Sequence, residues 1–222
     1  MDKIRFRDQL DRDVLIKRKP KRIISIVPSI TELLYFLGFE DEVIAITKFC
    51  VHPQEWFETK ERIGGTKSLK IQNIIDLKPD LVIGNKEENE QSQIETLQKD
   101  FPVWMSDISN LTEALEMMQK LADLFQKSAE GAKICVQITN DFAALNQAKN
   151  SKKVLYLIWK DPYMLAGKQT FINDLLQRIG LENAAIALPK GAGCTPPYCF
   201  QLREFAEILS ATSLARLMVE TL

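Results

Sequence analysis

The stretch RIISIVPSITELLYFLGF, residues 22–39, decides the fold. Its β-branched run at 23–27 reads as a buried strand. Ser29 and Glu32 have the S-x-x-E spacing of a capping box. The serine oxygen would accept from the third helical N–H while the glutamate reaches back to the Ser29 N–H, so a helix is expected from Ile30. Gly38 closes that helix, because glycine takes a left-handed backbone without a Cβ clash. A strand followed directly by a helix begins an α/β crossover unit. In a parallel sheet the handover lies at the carboxyl end of the strand, the end that faces a ligand crevice.

Outward from this segment the same alternation continues. Residues 43–47 read as a second strand, 71–77 as a short helix, 80–85 as a third strand after Lys78-Pro79, 92–100 as a helix and 102–107 as a fourth strand. Residues 1–110 therefore form an α/β lobe with a parallel sheet. From 112 to 150 the apolar residues Leu115, Met118, Ala122, Phe125, Ala129, Ala132, Ile138, Phe142 and Leu145 fall mostly three or four apart. This predicts one long interlobe helix over 111–150, a strut of roughly 55 Å at the helical rise, with Gly131 near its middle as a place where it can bend. Residues 151–222 read as a second, smaller α/β lobe. It has a strand at KKVLYLIW (152–159), a helix at TFINDLLQRIGL (170–181) ended by Gly180, a loop at PKGAGCTPPYC (189–199), a helix at FQLREFAEIL (200–209) and a weak strand at ARLMV (215–219).

Composition sets limits on function. The chain has 222 residues, 45% of them apolar, with 29 Lys and Arg against 30 Asp and Glu. That supports globular cores, and a net charge of −1 provides no overall field toward nucleic acid or anionic lipid. No run approaches the roughly 18 apolar residues of a membrane span, and the N-terminal stretch is charged, unlike a secretory signal. Up to Arg22 there are nine bases against four acids, either a basic patch or a solvated arm or edge strand. Cys50, Cys135, Cys194 and Cys199 show no CxxC spacing. They read as free thiols, with a Cys194–Cys199 pair as the alternative in an exported chain.

Phosphate-cradling and nucleophile-elbow motifs are absent, and His52 is the one histidine. Cys50 and His52, two apart in KFCVHPQEW, fit either soft metal ligation, a nucleophile with its base, or a structural role. Glu87 and Glu88 follow the third strand in NKEENEQ, where they fit either a metal or small-molecule site or a solvated loop. Pro28 and Ser29, Phe49 and Trp159 likewise stand at strand ends.

The segments RIISIVPSITELLYFLGF, TKFCVHP, GGTKSLKIQNIIDLKPDLVIGNKEEN, VWMSDI and VLYLIWKDPYMLAGKQTFINDLLQRIGLEN resemble, in this order, the helical-backbone substrate-binding proteins of ABC importers for cobalamin and ferric siderophores. The most specific pieces are P-S-x-T-E-L, L-K-P-D-L-V-I and G-K-x-T-F-I. The resemblance implies a class III periplasmic-binding-protein-like fold, with two Rossmann-like lobes joined by one long helix. It also implies a cleft ligand touched by Pro28, Ser29, Phe49, Thr66, Trp159 and Met164. The implied protein is no enzyme and needs no resident cofactor; its cargo is a corrinoid or iron-siderophore chelate, its partner a membrane permease and its location periplasmic.

Two departures stand out. The place of a permease-docking acid falls on Gln72, an amide that cannot form the ion pair. The chain after Ala187 is also shorter than the family pattern, which predicts a shortened second lobe. A different reading is a cytosolic corrinoid- or metal-handling enzyme or chaperone that uses Cys50, His52, Glu87 and Glu88 as ligands.

Overall fold

The computed structural model describes residues 3–145, 152–159, 163–187 and 198–200. The chain divides into two compact units, residues 1–108 with 113–137 and residues 109–112 with 138–222.

In the first unit, β1 (Lys3–Arg7) and β2 (Asp13–Lys17) form an antiparallel hairpin. Then follow β3 (Ile23–Ser25), α1 (Pro28–Phe36), β4 (Val43–Ile46), α2 (Gln54–Thr59), β5 (Glu61–Arg62), β6 (Gly64–Gly65), β7 (Ser68–Leu69) and α3 (Ile71–Leu77). They are succeeded by β8 (Leu81–Asn85), α4 (Gln91–Gln98), β9 (Val103–Ser106), α5 (Leu111–Leu124) and α6 (Ser128–Ala143). β5, β4, β3, β8 and β9 lie side by side in that order as a parallel sheet. Ile23, Ile24, Leu81, Val82 and Ile83 are fully buried, as strands covered on both faces must be. The apolar inner face of the hairpin (Ile4, Phe6, Val14, Ile16) joins the same core.

The hairpin turn also seals the outer edge of β9. The Gln9 N–H donates to the Met105 carbonyl at 3.1 Å, and the Asp107 N–H donates to Gln9 Oε1 at 3.1 Å. Asp8, 1% exposed, accepts from the Leu10 and Arg12 N–H groups and from the Arg12 guanidinium. A buried carboxylate is tolerated here because its oxygens are paired with donors and with a cation.

The sequence and structure differ at two helix boundaries. α1 begins at Pro28, with Val27 as N-cap and no side-chain cap bond. Proline fits the first helical position, where its missing N–H has no helical acceptor to lose, so Ser29 sits inside the first turn and the expected capping box does not form. The far end follows expectation: Gly38 has φ +81°, and the N–H groups of Gly38 and Phe39 return to the carbonyls of Tyr35 and Leu34.

The single strut expected over 111–150 is also corrected. α5 ends in the same kind of cap, with Gln126 at φ +60° donating to the Asp123 carbonyl and Lys127 donating to the Ala122 carbonyl. α6 then folds back on α5: Gln119 Nε2 reaches the Ser128 carbonyl, and Cys135 Sγ lies 3.5 Å from the Leu115 carbonyl. The 16 residues of α6 span about 24 Å instead of 55 Å. By the same division the first two residues of α5 and the part of α6 from Ile138 fall in the second unit.

The second unit contains β10 (Lys153–Val154), β11 (Leu157–Trp159), β12 (Tyr163–Leu165), α7 (Phe171–Arg178), β13 (Glu182–Asn183), a 3-10 turn (Ala184–Ala187) and β14 (Tyr198–Phe200). β10 pairs with β13 in parallel, while β11, β12 and β14 form an antiparallel sheet. The α/β class holds, but the short link from Trp159 to Tyr163 forces a hairpin where a parallel crossover needs a dozen or so residues. Thr170 caps α7 by accepting from the Asn173 N–H, and Gly180 (φ +78°) ends it. The segments expected as a helix at 200–209 and a strand at 215–219 lie outside the described residues except for Phe200, and so does Cys194.

Two predictions follow from packing and charge. A Cβ on Gly131 would lie 2.3 Å from Ala122 Cβ. Gly131→Ala should lower the urea midpoint, because overpacking costs about 1–3 kcal/mol against the roughly 1 kcal/mol that alanine gains in an open helix. Adding Ala122→Gly should recover the loss. Asp80 accepts from Lys17 Nζ and the Lys21 N–H, and its own N–H donates to the Arg22 carbonyl. Burial pushes the Asp80 pKa up, but the Lys17 bond, the Lys21 N–H and the Lys17 charge outweigh it and hold the pKa below the usual carboxylate value. A lowered folded-state pKa contributes stability that is present above the unfolded-state pKa near 4 and is lost as pH falls through the folded value. Asp80→Asn should therefore cost about 1–2 kcal/mol at pH 7, with the gap to the unsubstituted protein closing below about pH 4 in acid-denaturation curves.

Candidate functional site

The parallel sheet places the site. From β3 the chain winds to β4 and β5 on one side, then crosses to β8 and β9 on the other. The order therefore reverses between β3 and β8, and an open sheet offers a crevice at the carboxyl ends of its strands at such a point.

The segments at this end are held by buried polar bonds. Thr31 Oγ1, in the first turns of α1, lies 2.8 Å from Ser25 Oγ, 3.0 Å from the Val27 carbonyl and 3.2 Å from Cys50 Sγ. Thr47 Oγ1 lies 3.2 Å from the same sulfur. This network ties the end of β3, the start of α1 and the loop after β4, and it makes Cys50 a fully buried structural thiol. Its neighbour Phe49 is instead 52% exposed, with Lys48 Nζ 5.0 Å from the ring centroid. The ring packs so close to Gly65 that a Cβ there would lie 3.0 Å from it.

Asn89 is the second fastening. It is 5% exposed; its Oδ1 accepts from the Asn85 N–H at 2.8 Å, and its Nδ2 donates to the carbonyls of Thr66 (3.1 Å) and Ile26 (3.4 Å). One amide thus joins the loop after β3, the β6–β7 turn and the loop after β8. Sequence reasoning missed it. The available signal was the pair Asn85 and Asn89 flanking an acidic run, since Asn side chains that bond nearby backbone build such turns.

The structure gathers four of the expected ligand residues at this sheet end: half-buried Pro28, exposed Ser29, exposed Phe49 and buried Thr66. In the second unit, Trp159 and Met164 are register partners across β11 and β12. Glu87 and Glu88 are exposed on a loop whose N–H groups both donate to Asn85 Oδ1. Partial desolvation by the surrounding loop pushes the Glu87 carboxyl up, aided by the charges of Asp107 and Glu88 and opposed by Lys86 and Lys67. Lys86 pairs with Asp107 at 2.6 Å, and Lys67 Nζ donates to the Glu87 carbonyl. His52 is exposed, and among the described residues no three His, Cys, Asp or Glu side chains gather as a metal set. Gln72 is exposed on α3 and donates to Asp76 Oδ1 at 2.8 Å.

Asn89→Leu removes the donor to two buried carbonyls and the acceptor for one N–H. It should cost about 2–4 kcal/mol in chemical denaturation and speed amide exchange at Asn85 more than at Ile24 or Val82 in the sheet interior. Equal protection at Asn85 before and after substitution would show that the amide does not fasten these loops.

The fold and the sequence have counterparts among known proteins. The structure resembles that of a periplasmic heme-binding protein, RhuT, from Roseiflexus sp. RS-1, with a TM-score of 0.72 at 22% identity over 86% of this chain and 73% of that one. In sequence the chain is 27% identical over 189 residues to an uncharacterized ABC transporter substrate-binding lipoprotein, YvrC, of Bacillus subtilis, covering 80% of this chain. It is 25% identical over 167 residues to the vitamin B12-binding protein of Vibrio parahaemolyticus, covering 73% of this chain. The chain spans 60% of the length of each of these two relatives. Residues 23–207 match the periplasmic binding protein family, and a match of that extent, on a fold with these neighbours, means that the chain belongs to it.

Proposed function

We propose that this chain is the substrate-binding component of an ABC importer, and that it captures a metal-bearing macrocycle or chelate of the corrinoid, heme or ferric-siderophore class. The observation that carries the reading is the family match over residues 23–207, together with a relative named for binding vitamin B12 and a structural neighbour named for binding heme. The chemistry of the first unit supports it. Phe49 is an aromatic side chain more than half exposed, Ser29 is exposed at the same sheet end, and flat conjugated ligands are held by such a mixture of ring contact and a few polar groups.

Trp159 and Met164 are the proposed contacts of the second unit. Binding of this kind requires no covalent step, and relatives named as binding proteins support a non-catalytic role. The proposed partner is a membrane permease, which the α3 surface around Gln72 would meet without the ion pair an acid there would supply, and the proposed location is outside the cytoplasmic membrane.

Titration of the full chain with cyanocobalamin, hemin and a ferric hydroxamate chelate tests this. At least one should shift its visible absorbance and raise the melting temperature at about 100 μM ligand, and Phe49→Ala should weaken that ligand about tenfold. Absence of any spectral or thermal response to all three would overturn the reading.

A further inference from the structure

The near-neutral net charge hides a strong separation. Residues 1–22 carry nine bases against four acids, leaving 20 bases against 26 acids in the remainder. The β1–β2 register turns that composition into a surface. Lys3 stands opposite Lys17, Arg5 opposite Leu15 and Arg7 opposite Asp13, so these six side chains share one face, while Ile4, Phe6, Val14 and Ile16 share the other and pack on the core. Lys3, Arg5 and Arg7 are exposed, as is Lys19 beyond the end of β2. The acids on this face are few and weakly engaged. Arg5–Asp13 is 3.7 Å and Arg7–Asp11 is 3.2 Å, and every partner is more than half exposed, so these pairs hold little energy and yield to a competing anion. In the middle of the cations stands Leu15, 52% exposed and set outward by strand alternation although the core lies on the other side.

We infer that this outer face of the β1–β2 hairpin is a docking surface for an anionic lipid bilayer. Clustered Lys and Arg are drawn to acidic headgroups, and a projecting leucine enters the boundary between headgroup and acyl chain. The acidic remainder of the chain is repelled by the same bilayer, which gives the contact a single orientation. A nucleic acid fits less well. Leu15 has no apolar partner on a phosphate backbone, and a ribbon whose inner face is committed to its own core cannot enter a groove as a free ribbon does.

This inference is independent of the importer's ligand, and vesicle sedimentation tests it with the full chain. With vesicles of phosphatidylcholine and phosphatidylglycerol at about 20 mM salt, binding should exceed that to pure phosphatidylcholine by about tenfold or more and vanish near 0.5 M salt. The triple variant Lys3→Glu, Arg5→Glu, Lys19→Glu should lose the difference, Leu15→Ser should weaken it several-fold, and Lys120→Glu with Lys133→Glu on the α5–α6 hairpin should leave it intact. Each variant should melt as the unsubstituted chain does, because the changed side chains lie outside the core. Equal binding to both vesicle types, retention by the triple variant, or equally tight binding to a DNA duplex of about 20 base pairs at the same salt would overturn the inference.

Discussion

The structure of the first unit depends on β3 being paired on both sides by parallel neighbours. A central strand hydrogen-bonded in parallel to β4 and to β8 obliges each connection to cross over the sheet, and it sends the loops after β3, β4 and β8 out of the same end. Loops that emerge together but belong to different crossovers have no ladder to hold them. Asn89 supplies one substitute and the Ser25–Thr31–Cys50–Thr47 network another, both buried and both made of side chains that bond to backbone or to each other. The end of the sheet that carries Phe49 and Thr66 is therefore as rigid as those polar contacts.

Much of this was legible because local signals agreed with the tertiary outcome. The helix at Ile71–Leu77 and the strand at Leu81–Asn85 have apolar runs bounded by Lys78-Pro79, and Gly38 ends α1 where only a residue tolerant of positive φ fits. Where legibility failed, two local rules competed. Ser29 satisfied the spacing of a cap while Pro28 satisfied the first helical position, and the proline prevailed. The break after α5 was hidden because Gln126, not glycine, adopts the left-handed turn. The cost of that backbone is offset by tertiary packing, visible where Phe125 at the helix end meets Phe39 at 4.5 Å.

The candidate site divides in the same way. Residues at strand ends, Pro28, Ser29 and Phe49, could be placed from the strand pattern alone. For Asn89 the spacing to Asn85 signals only the local turn, since its other two partners, the carbonyls of Thr66 and Ile26, are distant in sequence. The cysteine and histidine of KFCVHP show the reverse case: residue types that carry chemistry elsewhere, here separated because one points into a hydroxyl network and the other to solvent. Membership of the family rests on the match over residues 23–207, which the division of the expected strut into α5 and α6 leaves untouched.

The closure of β9 by the hairpin turn has one more consequence. Met105 and Asp107 are satisfied by Asp8 and Gln9, residues near the start of the chain, and not by another strand. A protease that cut between Leu10 and Asp13 would leave the sheet intact while loosening the plug on its rim. The nicked molecule would then offer an open strand border to another nicked molecule, and such borders invite edge-to-edge growth. A cut in this turn would thus expose a border for precipitation without touching Phe49, Thr66 or the polar network that holds them.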